Sequence, residues 1–288
     1  MSDTTNKEQF NRATGLLVIE VINSNPNGDP DKESDPRWRN DQKGEITPVS
    51  LKRKIRDLIE NKEGPVWKSA AEKLSLDENK FMISESRAIT LSEMRQLDEK
   101  QFTEKFWDGR VFGNTELEKG RDIPVKTGVV QFGLGVSIAP IEIERMTTTN
   151  PPVEGDKKGG MAPLSYRIVT HGIYCMPFFV NPTAAYKTEC SKKDIDVLLN
   201  IIPYAYKHTA SYIRSNVEFV HAWYIEHKSP LGSCSDFDLI NVLTPKKIID
   251  IEKPSKSRID YKIPTEKDMP EELRNKVISI RDLMAEVY

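Results

Sequence analysis

The sequence has few cysteines and no long apolar run. Its three cysteines, Cys175, Cys190 and Cys234, show neither a CxxC spacing nor a histidine at the spacing of a zinc finger. Isolated cysteines of this kind are typical of reduced thiols in a cytosolic protein. The longest apolar run falls well short of the roughly 18 residues that a membrane span requires, and the polar start MSDTTNKEQFNR has no apolar signal-peptide core. We therefore expect a cytoplasmic chain with no membrane partner.

The chain also lacks a strong charge of either sign. Lys and Arg number 42 against 44 Asp and Glu, so the formal net charge is −2 and any polyanion site must be a local patch. Hydrophobic residues fill 38% of the 288 positions, which is enough for the core of one elaborated domain or of two small ones.

Motifs of the common cofactor and metal sites are missing as well. There is no phosphate-loop, HExxH or GxSxG pattern, and no glycine-rich dinucleotide fingerprint between a strand and a helix. The spacing Asn23-x-Asn25-x-Asn27 resembles the start of a calcium loop, but its first ligands are neutral amides and the twelfth position is Ser34 instead of a bidentate Glu. We expect no cofactor, no metal and no catalytic residue.

What the sequence does contain is a strand that runs into a polar loop and then a basic helix. Residues 16–22 are almost continuously apolar, which suits a central strand covered on both faces, and residues 23–31 (NSNPNGDPD) cannot continue it because of their prolines. Residues 32–46 are charged and predict an irregular, mobile loop. Thr47 and Pro48 predict the start of a helix whose core positions are Leu51, Ile55, Leu58 and Ile59, with Lys52, Arg53 and Arg56 on the other faces. This arrangement is typical of a phosphate-binding edge.

The rest of the chain alternates between helical and strand-like segments. Residues 61–107 predict a charged helical lobe with a thin apolar stripe, whose members are Leu91, Met94, Leu97, Phe102 and Phe106. Residues 143–165 predict a long protruding hairpin or flap. Strands are expected at 166–180 and 216–227, with a capped helix after Ser191. From residue 245 we expect a solvated tail with one amphipathic helix at about 270–287.

Four histidines could act as general bases, namely His171, His208, His221 and His227. No carboxylate or nucleophile lies close to them in a recognisable pattern, so structural or surface roles are favoured. His208 lies near Tyr212 and Arg214 in the sequence, which makes it a candidate contact to a phosphate or a base.

Several stretches together resemble one known family. They are NSNPNGDPD after the first strand, SLKRKIRD on the next helix, VFGNT, TGVVQFGLG, THGIYCMPFFV, YKHTASYIRS and EHKSPLGSC. Their order is similar to that of the CRISPR-associated protein 7 family, most of all to its type I-C subgroup. The sequence departs from that subgroup in two places. Residues 208–216 (HTASYIRSN) replace a run richer in Arg, Ala and Gly, and Val136 stands where an Arg is common.

The resemblance implies an α+β fold with a ferredoxin-like, RNA-recognition-motif-like palm at 13–60 and 108–245. A helical fingers insertion is expected at 61–107, a β-hairpin thumb at about 143–165 and a C-terminal extension at 246–288. It further implies a non-catalytic backbone subunit of the type I Cascade surveillance complex. Its partners would be CRISPR RNA, further copies of itself in a filament, other Cascade subunits and target DNA paired to the guide.

The resemblance also implies which residues contact RNA. On the palm helix they are Ser50, Lys52, Arg53 and Arg56, and in the neighbouring loop Asn25, Asn27 and Gly28. The start of the thumb supplies Arg145, Met146 and Thr147. The VQFG strand supplies Gln131, and the second basic segment supplies Tyr212 and Arg214.

Two other functions remain open at the level of sequence. One is a ferredoxin-like endoribonuclease that processes guide RNA, with His171 or His208 as base and Lys52 as phosphate stabiliser. The same fold could instead cleave target RNA through Asp29 or Asp31. The other is an RNA-binding module unrelated to CRISPR.

Overall fold

The computed structural model describes residues 10–86, 89, 92–93, 96–114, 126–150 and 162–287. The fold is a mixed α/β structure built on one large antiparallel sheet, whose strands run in the order β14, β11, β1, β10, β8 and β4. Those six strands span Val277–Asp282, Val217–His227, Ala13–Ser24, Ala162–Val180, Gly135–Pro140 and Lys43–Ile46. Two more strands, β7 (Val130–Phe132) and β9 (Ile143–Asn150), also pair with β10.

Strand β1 lies at the centre of this sheet, as its apolar sequence predicts. It pairs antiparallel with β10 on one side and with β11 on the other. Leu17, Ile19 and Val21 enter the larger core, whereas Leu16 and Val18 enter the core on the opposite face. The prediction of a central strand with both faces covered is confirmed.

Four helices cover the first face, which we call the α1 face. They are α1 (Pro48–Glu60), α2 (Pro65–Leu74), α4 (Trp107–Phe112) and α6 (Lys192–Ile201). Their core residues include Leu51, Ile55, Trp67, Trp107 and Leu198. The predicted helix starts are confirmed, because the Thr47 side chain caps α1 and Ser191 forms a capping box with Asp194 ahead of α6.

The second face, called the α7 face, is covered by α7 (Asp236–Leu243) and by the C-terminal segments. Leu239 and Leu243 pack there with Trp223, Tyr261 and Met269. Two short helices, α5 (Ala185–Thr188) and α8 (Glu271–Arg274), and a small β12–β13 ladder (Lys246–Lys247 with Tyr261–Lys262) complete the connections.

The predicted C-terminal helix at about 270–287 is wrong. Only Glu271–Arg274 is helical, and β14 (Val277–Asp282) joins the sheet as an edge strand paired with β11. Residues 278–281 (ISIR) alternate apolar and polar side chains, and β11 offers unpaired backbone groups that a helix could not satisfy.

Residues 32–46 are also more regular than predicted. Strands β2 (Gly28–Asp29) and β3 (Asp35–Pro36) form a short ladder, and β4 joins the main sheet beside β8. Backbone bonds then tie the segment together: Arg37 donates its N–H to the carbonyl of Asn27, and Glu45 donates to that of Arg37. Such ladders join residues distant in sequence, so local composition does not reveal them.

The helical insertion and the long hairpin are both present. The insertion contains α2 and α3 (Glu99–Lys105), and Phe102 and Phe106 form a small core with Leu97, while the predicted stripe positions Leu91 and Met94 lie outside the described residues. Strands β9 and β10 form the arms of the hairpin, with Ala162 opposite Asn150 and Val169 opposite Ile143. Its tip, residues 151–161, is outside the described part of the chain. The remaining short ladder joins β5 (Gly113–Asn114) to β6 (Lys126–Thr127).

None of the helices in the described residues is long and apolar enough to cross a membrane.

Candidate nucleic-acid interface

Three segments meet at the end of β1 that leads into the polar loop. The Asn27 Oδ1 atom accepts hydrogen bonds from the Thr47 backbone N–H (2.7 Å) and from Thr47 Oγ1 (2.8 Å), which ties the loop to the first turn of α1. The Asn25 backbone N–H donates to the carbonyl of Ile213 (2.7 Å), which ties the same loop to a pair of 3₁₀ turns at residues 207–214. The loop therefore sets the position of both basic segments.

The three loop residues that the family resemblance assigns to RNA are themselves part of this scaffold. Asn25 is buried and donates from Nδ2 to the Ser34 carbonyl (2.7 Å). The Asn27 side chain uses both of its polar atoms, since Nδ2 donates to the Gly28 carbonyl and Oδ1 accepts from Thr47. A Cβ on Gly28 would lie 2.8 Å from the Ser34 carbonyl oxygen, so only glycine fits there without a shift. These residues shape the loop.

The cations of α1 fall into two groups, and the first is neutralised internally. Arg53 forms ion pairs with Asp57 (2.5 Å) and Glu60 (3.3 Å) along the helix surface. Arg56 is 4% exposed; its Nε lies 3.0 Å from Asp108 Oδ2, and another of its nitrogens lies 2.8 Å from Glu85 Oε1. Asp108 is fully buried and also accepts from the Ser84 backbone N–H (2.8 Å).

The prediction that Arg56 lies away from the core is therefore wrong. The buried stripe of α1 is wide enough to include position 56, and the Asp108 carboxylate makes burial of a guanidinium tolerable. Arg56 fastens α1 to the helical insertion.

The second group of cations has no carboxylate within ion-pair distance among the described residues. Lys52 is half-buried, and its Nζ lies 5.0 Å from the centre of the Phe112 ring. Burial, together with repulsion from Arg56, lowers the pKa of Lys52 below its usual range. Ser50, two residues closer to the helix start, is half-exposed and donates its backbone N–H to the carbonyl of Thr47.

Lys54 belongs to the same basic run but is not among the residues that the family resemblance assigns to RNA, and it is the most unusual member of the group. It is 8% exposed, and its Nζ donates to Thr209 Oγ1 (2.8 Å) and lies 5.3 Å from the centre of the Tyr206 ring. Burial and then repulsion from Arg214 lower the pKa of Lys54 to about 8. The Nε atom of Arg214 is buried and has no hydrogen-bond partner within the described residues.

The base of the hairpin lies beside this cluster. Tyr166 on β10 meets Tyr212 edge to face, with ring centres 5.6 Å apart and hydroxyl oxygens 3.4 Å apart. Met146 on β9 stands directly opposite Tyr166 in the ladder and is 41% exposed. Opposite residues of a ladder project to the same face, so an exposed apolar and aromatic surface adjoins the cations of the 207–214 segment.

Two further predicted residues lie on the same hairpin, and one lies elsewhere. Arg145 and Thr147 are exposed on β9, with Arg145 hydrogen-bonded to Ser165 Oγ (3.2 Å). Gln131 is exposed on β7, where its neighbour Phe132 enters the core of the α1 face. Because successive strand residues point to opposite faces, Gln131 projects toward the α7 face, away from the cluster.

The candidate bases of the nuclease hypothesis do not converge with Lys52. His171 is buried on the α7 face, hydrogen-bonded to Ser255 Oγ (2.7 Å) and Glu20 Oε1 (3.3 Å), so the sheet separates it from α1. His208 is exposed and rests edge-on against Tyr204, 5.5 Å between ring centres. The carboxylate of Asp29 pairs with Arg37 (3.5 Å). Within the described residues, no three His, Cys, Asp or Glu side chains cluster as a metal site would require.

A comparison with protein families matches residues 11–266 to the family described as CRISPR-associated protein Cas7. The chain belongs to this family. No curated protein sequence gives a significant match.

Similar solved structures include two described as "CRISPR RNA-guided surveillance complex", one of them with the addition "pre-nicking". The first is 15% identical with a TM-score of 0.43, covering 75% of this chain and 69% of the other. The second is 12% identical with a TM-score of 0.48, covering 74% and 75%. A third, "Cryo-EM structure of the Type III-B Cmr-beta bound to cognate target RNA", is 11% identical with a TM-score of 0.42, covering 75% and 61%. All three TM-scores are low, so the residue roles below rest on the contacts of this chain.

Proposed function

We propose that the chain is a non-catalytic backbone subunit that binds CRISPR RNA and oligomerises along it in a type I Cascade surveillance complex. The family membership supports a role in CRISPR defence. The observation that carries RNA binding is the cluster of cations at the start of α1 and in the 207–214 segment. No described carboxylate pairs with Lys52, Lys54 or Arg214, and the exposed Tyr212 lies in the same segment as Arg214.

The proposed anatomy follows the family resemblance. The sheet with α1 and α6 would be the ferredoxin-like, RNA-recognition-motif-like palm, from residues 13–60 and 108–245. Residues 61–107 would be the fingers, the β9–β10 hairpin at about 143–165 the thumb and residues 246–288 the extension. The extension is closely integrated, since β14 adds an edge strand to the palm sheet.

Within this anatomy the cations that lack a paired carboxylate would hold backbone phosphates, and the aromatic surface would receive bases. Phosphate contacts position RNA without reading its sequence, and stacking on aromatic rings is tolerant of the base identity. A subunit that must accept any guide requires both properties. Tyr166 would join Tyr212 and Met146 in the stacking surface, whereas Arg53, Arg56 and Asn27 would position the groups that bind.

The near-neutral net charge of −2 is compatible with this role, because affinity would come from a local patch. Paired carboxylates elsewhere on the surface neutralise other cations, as Asp57 does for Arg53. Binding would then weaken steeply as salt concentration rises, in proportion to the number of phosphates contacted.

The proposal is tested by purifying the chain with its bound nucleic acid and sequencing the RNA. We expect repeat–spacer units in the wild-type protein and a large loss of bound RNA in the Lys52→Ala, Arg214→Ala double variant. Lys253→Ala is the matched control, because Lys253 is an exposed lysine beyond the α7 face, where its carbonyl meets the Lys247 ammonium.

Two results would count against the proposal. One is a double variant, folded by circular dichroism, that retains as much RNA as the control. The other is cleavage of labelled RNA by the wild-type protein, with or without Mg²⁺, that disappears in a His208→Ala variant. That second result would favour an endoribonuclease.

A further inference from the structure

Two cations, Lys54 of α1 and Arg214, lie where α1 faces residues 205–214, and neither has an ion-pair partner among the described residues. Lys54 is more than nine-tenths buried, and its ammonium group is held by Thr209 Oγ1 at 2.8 Å. The positive charge of Arg214 repels this ammonium group, and the buried Arg214 Nε has no acceptor among the described residues. The Tyr206 ring forms a wall of the site, 5.3 Å from Lys54 Nζ.

This arrangement is unfavourable in the free protein. Two like charges removed from water repel each other, and a buried donor without an acceptor loses its hydrogen bond to water with nothing in return. Among the described residues, the other buried Lys and Arg side chains have different partners: Arg56 faces Asp108, Arg110 faces Asp194 at 2.7 Å, and the Lys247 ammonium donates to the carbonyls of Asp250 and Lys253. An anion with acceptor oxygens would offset both the repulsion and the unused donor.

We propose that Lys54, Thr209 and Arg214 form a subsite for one phosphate group of the RNA backbone. A phosphodiester supplies a single negative charge and acceptor oxygens for the free Lys54 donor and for Arg214 Nε. The subsite rests on the proposed function and adds to it. It assigns two residues, Lys54 and Thr209, to a contact on the opposite flank of α1 from Lys52.

The subsite has a consequence for pH. The groups that face Lys54 are Arg214 and Tyr206 from the neighbouring segment and Asp57 from its own helix, with His208 and Lys207 exposed beside Thr209. With the pKa of Lys54 held at about 8, part of its population is neutral near that pH. A bound phosphate favours the protonated form and raises this pKa, so binding takes up protons and affinity falls as pH rises through about 8.

The test uses the full chain stripped of nucleic acid and a fluorescent oligouridine RNA, with affinity measured by anisotropy over a range of salt and pH. For Lys54→Met we expect affinity about tenfold lower at pH 7. The slope of log affinity against log salt should fall by about one phosphate equivalent. The difference in RNA affinity between Lys54→Met and the wild-type chain should be smaller at pH 9 than at pH 7. Lys54→Arg keeps the charge at all these pH values and should lose the pH dependence. Lys253→Met is the control for charge loss alone.

The outcomes separate the subsite from the function on which it rests. If the wild-type chain binds no RNA, the proposed function fails and the subsite with it. If RNA binds and Lys54→Met keeps the wild-type salt slope and pH profile, the subsite alone is overturned. Inorganic phosphate as a second probe distinguishes the source of the anion: NMR titration of the Lys54 ammonium by free phosphate but not by RNA would overturn the backbone assignment. Thr209→Val, which keeps the Lys54 charge, covers the case in which Lys54→Met does not fold.

Discussion

At the scale of single residues, the basic run of α1 contains cations of two kinds. Arg53 and Arg56 are neutralised by Asp57, Glu60, Asp108 and Glu85, whereas Lys52 and Lys54 have no paired carboxylate in the described structure. Arginine suits the first role because its planar group satisfies several acceptors at once. Lysine suits the second role, since a desolvated ammonium gains from meeting a phosphate.

The assignment of Arg56 to the interior predicts a stability effect for its partner. Asp108→Asn removes the buried counter-charge of Arg56 and leaves the guanidinium only the half-exposed Glu85, so we expect the free energy of unfolding to fall by about 3 kcal/mol. Urea unfolding of the RNA-free protein measures this change. Asp57→Asn, which breaks the exposed Arg53 pair, should cost less than about 1 kcal/mol. Equal losses in the two variants would show that Arg56 gains nothing from burial against Asp108.

At the scale of elements, β1, its loop and α1 act as one unit that positions the interface. The two hydrogen bonds from Thr47 to Asn27 Oδ1 hold the start of the helix against the loop, and the Asn25 N–H holds the 207–214 segment. A substitution in this loop should therefore shift the cations of α1 and those of the 207–214 segment together.

Asn27→Ala tests this coupling. The variant loses the acceptor for the Thr47 N–H and hydroxyl, and we expect about 1–2 kcal/mol lower stability together with weaker RNA binding, because Asn27 positions α1 and the 207–214 segment. Thermal unfolding and RNA anisotropy provide the two measurements. Asn27→Asp keeps the acceptor oxygens and adds a charge favourable to a helix start, so its stability should return to the wild-type level. A stable Asn27→Ala variant with normal RNA affinity would exclude the coupling.

Elements with local signals were predictable from the sequence, and elements that depend on distant pairing were not. Two helix starts have signals within four residues, namely Thr47 with Pro48 and Ser191 with Asp194. The apolar run of β1 likewise predicts a central strand. The β14 strand depends on β11 some fifty residues earlier, so the sequence predicted a helix there. The candidate site divides in the same way. The basic run at 52–56 is visible in the sequence. The burial of Arg56 depends on its ion pair with Asp108, and the position of Lys54 depends on its hydrogen bond to Thr209, and both partners are distant in sequence.

At the scale of the whole molecule, the two faces of the sheet have different contents. The α1 face contains the proposed interface, whereas the α7 face buries a polar cluster in which Glu20 on β1 bonds His171 on β10 and Arg258 from the C-terminal extension. This cluster joins the extension to the central strands. A substitution in this cluster should therefore lower the free energy of unfolding without changing RNA affinity.

Acid unfolding of Glu20→Gln tests that separation. Burial raises the pKa of Glu20, but hydrogen bonds from His171 and Arg258 outweigh it and lower the pKa from 4.5 to about 2. A carboxyl whose pKa is depressed by folding stabilises the protein above its unfolded pKa, and this stability is lost as pH falls toward the folded value. At pH 6 we expect Glu20→Gln to be less stable than wild type by about 3 kcal/mol, and the gap should close progressively between about pH 4.5 and pH 2. Urea unfolding across this pH range measures the difference in stability between the two proteins.

RNA affinity at pH 7 should stay at the wild-type value, because the sheet lies between Glu20 and the α1 cations. A gap that persists unchanged at low pH would show that the ionised form of Glu20 contributes nothing, and a loss of RNA affinity would show that the two faces are coupled.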